Sequence, residues 1–439
     1  MRRYLTLFLA LTGAIAFAQA PGPAARQLSL QEAIRLAIQN NLSSRLAKAQ
    51  TEEGRGLAIQ AASDLLPHFL GSIQQSRVFK INFEAEGFPP NSNLFNPILG
   101  PYNVFDARIQ LTQKIIDMAS LWRTRAGLAG IGILQMQEDL VDEQLAAAAA
   151  LAYTDTLRAQ QAVAAAQANL TLAQDLLTQT QHEHRAGIAT GVDLARSETQ
   201  VSQQNVGLIR AQVAARQADL RLKRLIGISL GEPIELVDKL GAGGTAFPSE
   251  NEATQIASTR RIELEITKER LRADQLLLDS ARFAYLPSVS ASADYGFSGN
   301  LPAGSARTGS IGGRLSLPIF TGGEIEGAVR QARGQRDDSQ ARYVDTQAQV
   351  EEDARLSVQT LGAEVEEVKS ADQTVKLAER ELKMARDRFA AGAGDNIQVI
   401  QAQTVLAQAR EDEVESLARY NTARVNLAAA LGEAQKFKL

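Results

Sequence analysis

Residues 185–194 read Arg-Ala-Gly-Ile-Ala-Thr-Gly-Val-Asp-Leu, and residues 390–399 read Ala-Ala-Gly-Ala-Gly-Asp-Asn-Ile-Gln-Val. In both stretches a glycine closes one helix-forming tract, and an apolar–polar–apolar triplet opens the next. Gly187 and Gly392 stand 205 positions apart. The same offset pairs Leu222–Gly227 with Leu427–Gly432, and Leu172-Ala173 with Leu377-Ala378. Upstream the offset changes. Ile115-Ile116-Asp117 matches Ile319-Phe320-Thr321 at 204, and Leu66-Pro67 matches Leu286-Pro287 at 220, which puts the extra residues in a first hairpin. A period this long is not that of a solenoid and implies two structural halves. They run from about 28 to 227 and from about 250 to 432, with a linker at about 228–249.

Around those glycines the chain is strongly helical. No proline lies between Tyr102 and Glu232 or after Pro318, and Met136–Arg185 also lacks glycine. A proline inside a helix costs about 3 kcal/mol, so proline-free tracts of this length predict very long helices. Arg185 and Arg388 precede the glycines, where a cation suits the negative end of a helix dipole. Each half therefore holds a hairpin with one arm of roughly 100 Å, ending at Arg185 in the first half, and one of about 50 Å. Arms so unequal do not make a compact soluble domain. Val399, Ala402, Leu406, Ala409, Tyr420, Ala423, Leu427 and Ala430 alternate in steps of three and four, interrupted at Glu413 and Ser416. They read either as a small-residue coiled-coil seam or as the buried face of a bundle helix, the commoner reading for so Ala-rich a face.

Four segments switch to a period of two. Val289, Ala291, Ala293, Tyr295 and Phe297 alternate with Ser, Asp and Gly; Ile311, Gly313, Leu315 and Leu317 do the same. Phe105, Ala107, Ile109 and Leu111 form a third strand, and His68–Asn82 a fourth with Phe69, Ile73, Phe79 and Ile81 on one face. Turn-forming runs, Phe88-Pro-Pro-Asn-Ser-Asn and Gly299-Asn-Leu-Pro-Ala-Gly, join them into two β-hairpins at about 68–116 and 287–320. A membrane barrel and a half-buried soluble sheet both produce this alternation. Four strands do not close a bacterial barrel, which starts at about eight, so a barrel would have to be shared among chains.

Composition narrows the function classes. The 439 residues include 46 Lys+Arg and 50 Asp+Glu, so there is no basic excess to hold a nucleic acid. There is no cysteine, which removes disulfides, thiolate metal sites, Cys nucleophiles and a lipidated Cys anchor. Arg2-Arg3, the apolar run Leu5–Ala16 and Ala18-Gln19-Ala20 read as a signal peptide over residues 1–20, with cleavage after Ala18 or Ala20. No apolar run of about 18 residues follows, so no transmembrane helix is expected.

Chemistry-bearing constellations are missing. His182 and His184 are two apart on a helix and point to opposite sides, so they do not chelate one metal. Gly241-Ala-Gly-Gly-Thr-Ala-Phe-Pro248 lacks the Lys-Ser/Thr of a phosphate loop and reads as a linker. Glu351-Glu352-Asp353 reads as a solvated helix face. The expectation is no enzyme, no cofactor and no metal site.

Taken in order, Leu28-Ser-Leu-Gln-Glu-Ala-Ile-Arg-Leu-Ala37 with Asn40-Asn41, Ser63-Asp-Leu-Leu-Pro67, Leu111-Thr-Gln-Lys-Ile-Ile-Asp117, Leu315-Ser-Leu-Pro-Ile-Phe-Thr-Gly-Gly323, the two glycine tips and Leu431-Gly432 carry a resemblance. Over nearly the whole mature chain, the sequence resembles the TolC-like outer membrane efflux proteins. The resemblance implies a mostly α fold with a membrane β-barrel part, built from long helical hairpins and four β-strands per protomer. Three protomers would form a twelve-stranded barrel in outer-membrane lipid and a twelve-helix periplasmic tunnel. Shorter helices near Leu28–Arg55 and Glu250–Leu276 would form the collar and the upper part of the tunnel.

The function implied is a passive exit duct for a tripartite efflux or type I secretion system, fed by an inner-membrane pump through a periplasmic adaptor. The competing class is a non-transporting periplasmic or surface coiled-coil protein, which explains the helices but not the duplicated β-hairpins. By the same resemblance, the hairpin tips with Arg185, Gly187, Thr190, Arg388, Gly392 and Asp395 would dock the adaptor. Asp193, Gln398 and Gln401 would line the periplasmic aperture. On charge, Asp193 would pair with Arg185 or Arg388 to hold neighbouring hairpins closed.

Overall fold

The computed structural model describes residues 26–82, 98–242, 247–391 and 393–439. The leader, the Phe88-Pro-Pro turn, part of the glycine-rich linker and Gly392 lie outside the described residues. The chain opens with β1 (Arg26–Leu28), α1 (Leu30–Asn40) and α2 (Leu42–Ser63). Strands β2 (His68–Val78), β3 (Ile81–Asn82), β4 (Ile98–Leu99) and β5 (Tyr102–Ile116) follow, then α3 (Met118–Arg185) and α4 (Gly191–Ile226). After β6 (Ile234–Leu236) comes a second series: α5 (Glu250–Arg260), α6 (Ile262–Phe283), β7 (Ser288–Gly299), β8 (Ala306–Ser316), α7 (Glu324–Ala390) and α8 (Asn396–Ala430). Corresponding helices have nearly equal lengths: 11 and 11 residues, 22 and 22, 68 and 67, 36 and 35.

Local chemistry sets where these helices begin and end. Asp117 caps α3, accepting from the Ser120 N–H at 3.1 Å. Ser249 and Glu252 form a capping box on α5. The ends of α4 and α8 are clamped in parallel fashion. Gly227 and Gly432 both take left-handed backbones (φ 69° and 71°) and lie against the first short helix pair of their own half. There Asn40 and Asn41 donate to the Ile226 and Leu225 carbonyls, and Arg261 donates to the Ala430 carbonyl. A Cβ on Gly227 would meet Asn40 Cβ at 2.5 Å, so close approach as well as φ requires glycine there.

The four long strands form one antiparallel sheet in the order β2-β5-β7-β8. Thus the two hairpins lie edge to edge, with β5 pairing to β7 from Phe105↔Gly299 to Ile116↔Val289. Where the sequence predicts one strand from His68 to Asn82, the ladder with β5 stops at Val78↔Tyr102 and a separate two-residue ladder follows. The physical reason is Pro101 immediately before Tyr102, which has no N–H to extend the ladder.

Next to the sheet, the first part of α3 packs on α2 and α6, and α6 packs on α7. Thr51 and Thr124 of α2 and α3 donate across that interface, Ser280 donates to the Ala119 carbonyl, and Trp122 stacks on Phe283. Beyond a collar made by α1, α5, the β1–β6 pair and the C-terminal tail, the partners change. α3 now packs on α4 and α8, and α8 on α7. The main core sits at the collar, where Leu28, Ile34, Ala149, Tyr153, Leu222, Ile226 and Val425 are buried together. The predicted α8 face is buried throughout, from Val399 to Ala430, and it lies between two neighbours rather than in a two-helix seam.

Candidate functional site

Each level of the molecule is a layer of four elements with two open edges. The sheet runs β2-β5-β7-β8, the upper helices α2-α3-α6-α7, and the lower helices α4-α3-α8-α7. One side of every layer comes from the first half (β2, α2, α4) and the other from the second (β8, α7). Both sides expose apolar residues. Val206, Val213 and Leu220 repeat every seven residues on α4, and Leu356, Leu377 and Met384 fall at multiples of seven on α7, with Ala363 and Ser370 at the positions between. These stripes were legible in the sequence as heptads, but the sequence reading looked for a seam only on α8.

The two faces of the sheet differ sharply. Register places Phe69, Ile73, Ala107, Ile109, Tyr295, Phe297, Ile311 and Leu315 on one face. That face is uncovered: Phe69 is 70%, Ile73 81% and Ile311 88% exposed. A soluble sheet packed within its own chain would bury this face, and this chain does not. The other face carries Ser, Thr and Gln with an ion cluster in which Arg108 bonds Asp106 and, at 3.1 Å, Asp294, which also accepts from Ser310. Among the described residues no helix is long and apolar enough to cross a membrane.

At the other end of the molecule stand the hairpin tips. Arg185 is the last residue of α3 and donates to His182 Nδ1 and the Gln181 carbonyl. Gly187 has φ 77°, its N–H reaches the His184 carbonyl, and the Ile188 N–H reaches Glu183, an arrangement that satisfies the last carbonyls of α3. A Cβ on Gly187 would meet nothing within 4 Å. His184 donates from Nδ1 to the Ala189 carbonyl, so the two histidines are spent separately, and among the described residues no three His, Asp or Glu are grouped to hold a metal.

Thr190 and Asp193 form a capping box at the start of α4. Hydrogen bonds from the Thr190 hydroxyl and backbone, helped by Arg196, hold the Asp193 carboxyl below its ordinary value despite some burial. Within one chain Asp193 makes no ion pair with Arg185 or Arg388. A carboxylate at the third position of a helix has two local donors, and no loop has to move to supply them.

In the second tip, Asp395 caps α8 through the Ile397 N–H, and Arg388 donates to the Ala393 carbonyl. Gly392 lies outside the described residues. Gln398 and Gln401 are both exposed, one turn apart on α8. The structure therefore brings Thr190 and Asp193 together and leaves Arg185, Gly187, Arg388 and Asp395 each engaged within its own turn.

Three residues that sequence reasoning missed tie the tips to each other. Thr180, Ser197 and Asn396, on α3, α4 and α8, are all buried. The Thr180 and Ser197 hydroxyls lie 3.2 Å apart, and the Asn396 amide donates to Ser197 and to the Asp193 carbonyl, both at 3.3 Å. Their spacing in the chain gives no hint of this, because it is packing of the two halves that joins them.

Comparison with known proteins bears directly on this architecture. The family described as "Outer membrane efflux protein" matches residues 33–228 and 254–433. The toluene efflux pump outer membrane protein TtgC of Pseudomonas putida is 26% identical over 273 residues, which is 58% of this chain and 53% of that protein. The chain thus matches about half the length of this relative. The alkaline protease secretion protein AprF of Pseudomonas aeruginosa is 23% identical over 97% of this chain and 88% of its own. The outer membrane protein VceC of Vibrio cholerae shares the fold with a TM-score of 0.79 at 18% identity, over 92% of this chain and 96% of that one. Because the family match runs through both halves, the chain belongs to the outer membrane efflux protein family.

Proposed function

We propose that the protein is the outer-membrane exit duct of a tripartite efflux or type I secretion system, a homotrimer that passively conducts substrates from an inner-membrane pump and periplasmic adaptor to the exterior. The observation that carries this reading is the consistent polarity of the open edges. With β2, α2 and α4 on one side and β8 and α7 on the other, copies join head to tail, and such an interface closes into a ring. β8 would lie antiparallel to β2 of the next copy. Two copies would give eight strands, whose interior side chains fill the lumen; three give twelve and leave a conduit. The uncovered apolar face then meets lipid, and the polar face lines the lumen. Toluene efflux and protease secretion are the roles named for the relatives. The driving energy would come from the pump, since no nucleotide-binding loop occurs in the sequence.

Planar-bilayer recording of the purified protein tests this. Stepwise, long-lived conductance is the expected result, and a protein that binds membranes without conducting would contradict it. The same recordings test the aperture. Gln398 and Gln401 are uncharged, so closure there would rest on packing and hydrogen bonds, and divalent cations should block weakly. Gln398→Asp with Gln401→Asp would place six carboxylates around the entrance of a trimer, and should strengthen the block by about tenfold or more. Tight block of the unmodified protein would rule out this entrance.

The adaptor would dock on the turns that hold Arg185, Gly187, Thr190, Arg388, Gly392 and Asp395. Open space around Gly187 lets a bulky side chain be tried there. Gly187→Trp should cost about 1–2 kcal/mol locally because of its positive φ, leave the oligomer in the membrane, and abolish adaptor capture in a crosslinking assay. Normal efflux and normal capture by this variant would exclude the tip as the docking site.

A further inference from the structure

The outward, apolar face of the sheet carries two charges among the described residues of β2, β5, β7 and β8: Arg77 and Arg307. Register fixes both on that face, since Arg77 pairs with Asn103 in the row of Phe105 and Ala107, and Arg307 pairs with Phe297. The other charged strand residues, Asp106, Arg108, Lys114, Asp294 and Arg314, fall in the alternate rows of the polar face. Arg77 and Arg307 are exposed, and neither side chain makes a hydrogen bond or ion pair with another described residue. They occupy the two edge strands, at the ends farthest from the helices: Arg77 is the second-last residue of β2, and Arg307 the second residue of β8.

On the trimeric barrel proposed above, on which this inference rests, β8 of one copy runs beside β2 of the next. Two guanidinium groups then share each seam near the outer boundary of the bilayer. A lone arginine facing lipid is unfavourable, but near a boundary it reaches the headgroup layer along its apolar stem. Two unpaired cations on one seam repel each other unless an anion lies between them. The planar fork of arginine matches phosphate oxygens in bidentate fashion. Gly309, the next outward residue on β8 after Arg307, has no side chain to crowd a headgroup or acyl chain. We infer that each seam between copies binds the headgroup phosphate of an outer-leaflet lipid, held by Arg77 of one copy and Arg307 of the next.

Native mass spectrometry of the purified full-chain oligomer tests this, with bis-phosphorylated lipid A as the probe and a phosphate-free galactosyl diacylglycerol as the comparison. Lipid A should be retained on the oligomer, the galactolipid should not, and millimolar inorganic phosphate should fail to displace it. Arg77→Gln with Arg307→Gln should weaken retention by about tenfold or more with the oligomer intact. Arg77→Lys with Arg307→Lys keeps the charge but loses the fork, and should bind with intermediate strength. Undiminished lipid A binding by either double variant, equal binding of the galactolipid, or displacement by inorganic phosphate would overturn the inference while leaving the barrel standing. A monomeric unmodified protein would overturn it together with the proposed trimer, and is distinguished by its mass before any lipid is added.

Discussion

Replacing Tyr153 with alanine is expected to remove about 3–5 kcal/mol of stability, enough to prevent assembly of the folded protein in cells. Tyr153 is fully buried at the collar, midway along α3. Its hydroxyl lies 2.9 Å from the Leu28 carbonyl and 2.8 Å from Asp238 Oδ2, and the same Asp238 oxygen accepts from the Leu30 N–H at 2.9 Å. One side chain thus ties α3 to the start of α1 and to the linker between the halves. Tyr153→Phe keeps the ring but removes the one hydroxyl proton shared by the Leu28 carbonyl and the Asp238 carboxylate, and the oxygen that accepts from the Asp238 N–H, for about 1–3 kcal/mol. Burial, followed by the neighbouring Asp238 carboxylate, raises the phenol above its ordinary value of 10.0. A proton held more tightly in the folded state stabilises it fully below the unfolded value and progressively less above it. The stability gap between the unmodified protein and Tyr153→Phe, read from thermal melts, should therefore be constant up to about pH 10 and narrow at higher pH. A gap that widens with alkalinity would contradict this account of the hydroxyl.

The second large effect concerns the sheet. Ile311→Arg puts a charge at the middle of β8 on the uncovered face, and in a bilayer this should cost about 2–4 kcal/mol per copy. Ser292→Arg, on the polar face of β7, should change stability little because the lumen supplies water. The readout is the fraction of heat-modifiable oligomer in extracted outer membranes. If the outward face met water instead of lipid, Ile311→Arg would be tolerated as well as Ser292→Arg.

Much of this architecture was open to reading in the sequence, because its signals are local or periodic. Proline-free tracts located α3, α4, α7 and α8, the Gly187 turn marked one hairpin tip, and Ser-Val-Ser-Ala-Ser-Ala at 288–293 announced a strand with one small polar face. What stayed hidden depends on partners brought from far away. The β5–β7 pairing that unites the hairpins leaves no trace in either strand alone. Pro101 ended the β2 ladder from the opposite strand, and so lay outside any reading of His68–Asn82. At the tips, Asp193 is held by donors three residues away on either side, which charge alone did not reveal. Conversely, Thr180, Ser197 and Asn396 look like ordinary polar helix residues until the packing of α3, α4 and α8 buries them together.

The central claim is that one chain supplies a third of a closed conduit. The mass of the detergent-extracted, folded particle from outer membranes tests it most directly. Light scattering should give three copies per monodisperse particle, stable without any added partner. A folded, monodisperse particle containing one copy would leave the edges β2, α4, β8 and α7 open and would contradict the shared barrel.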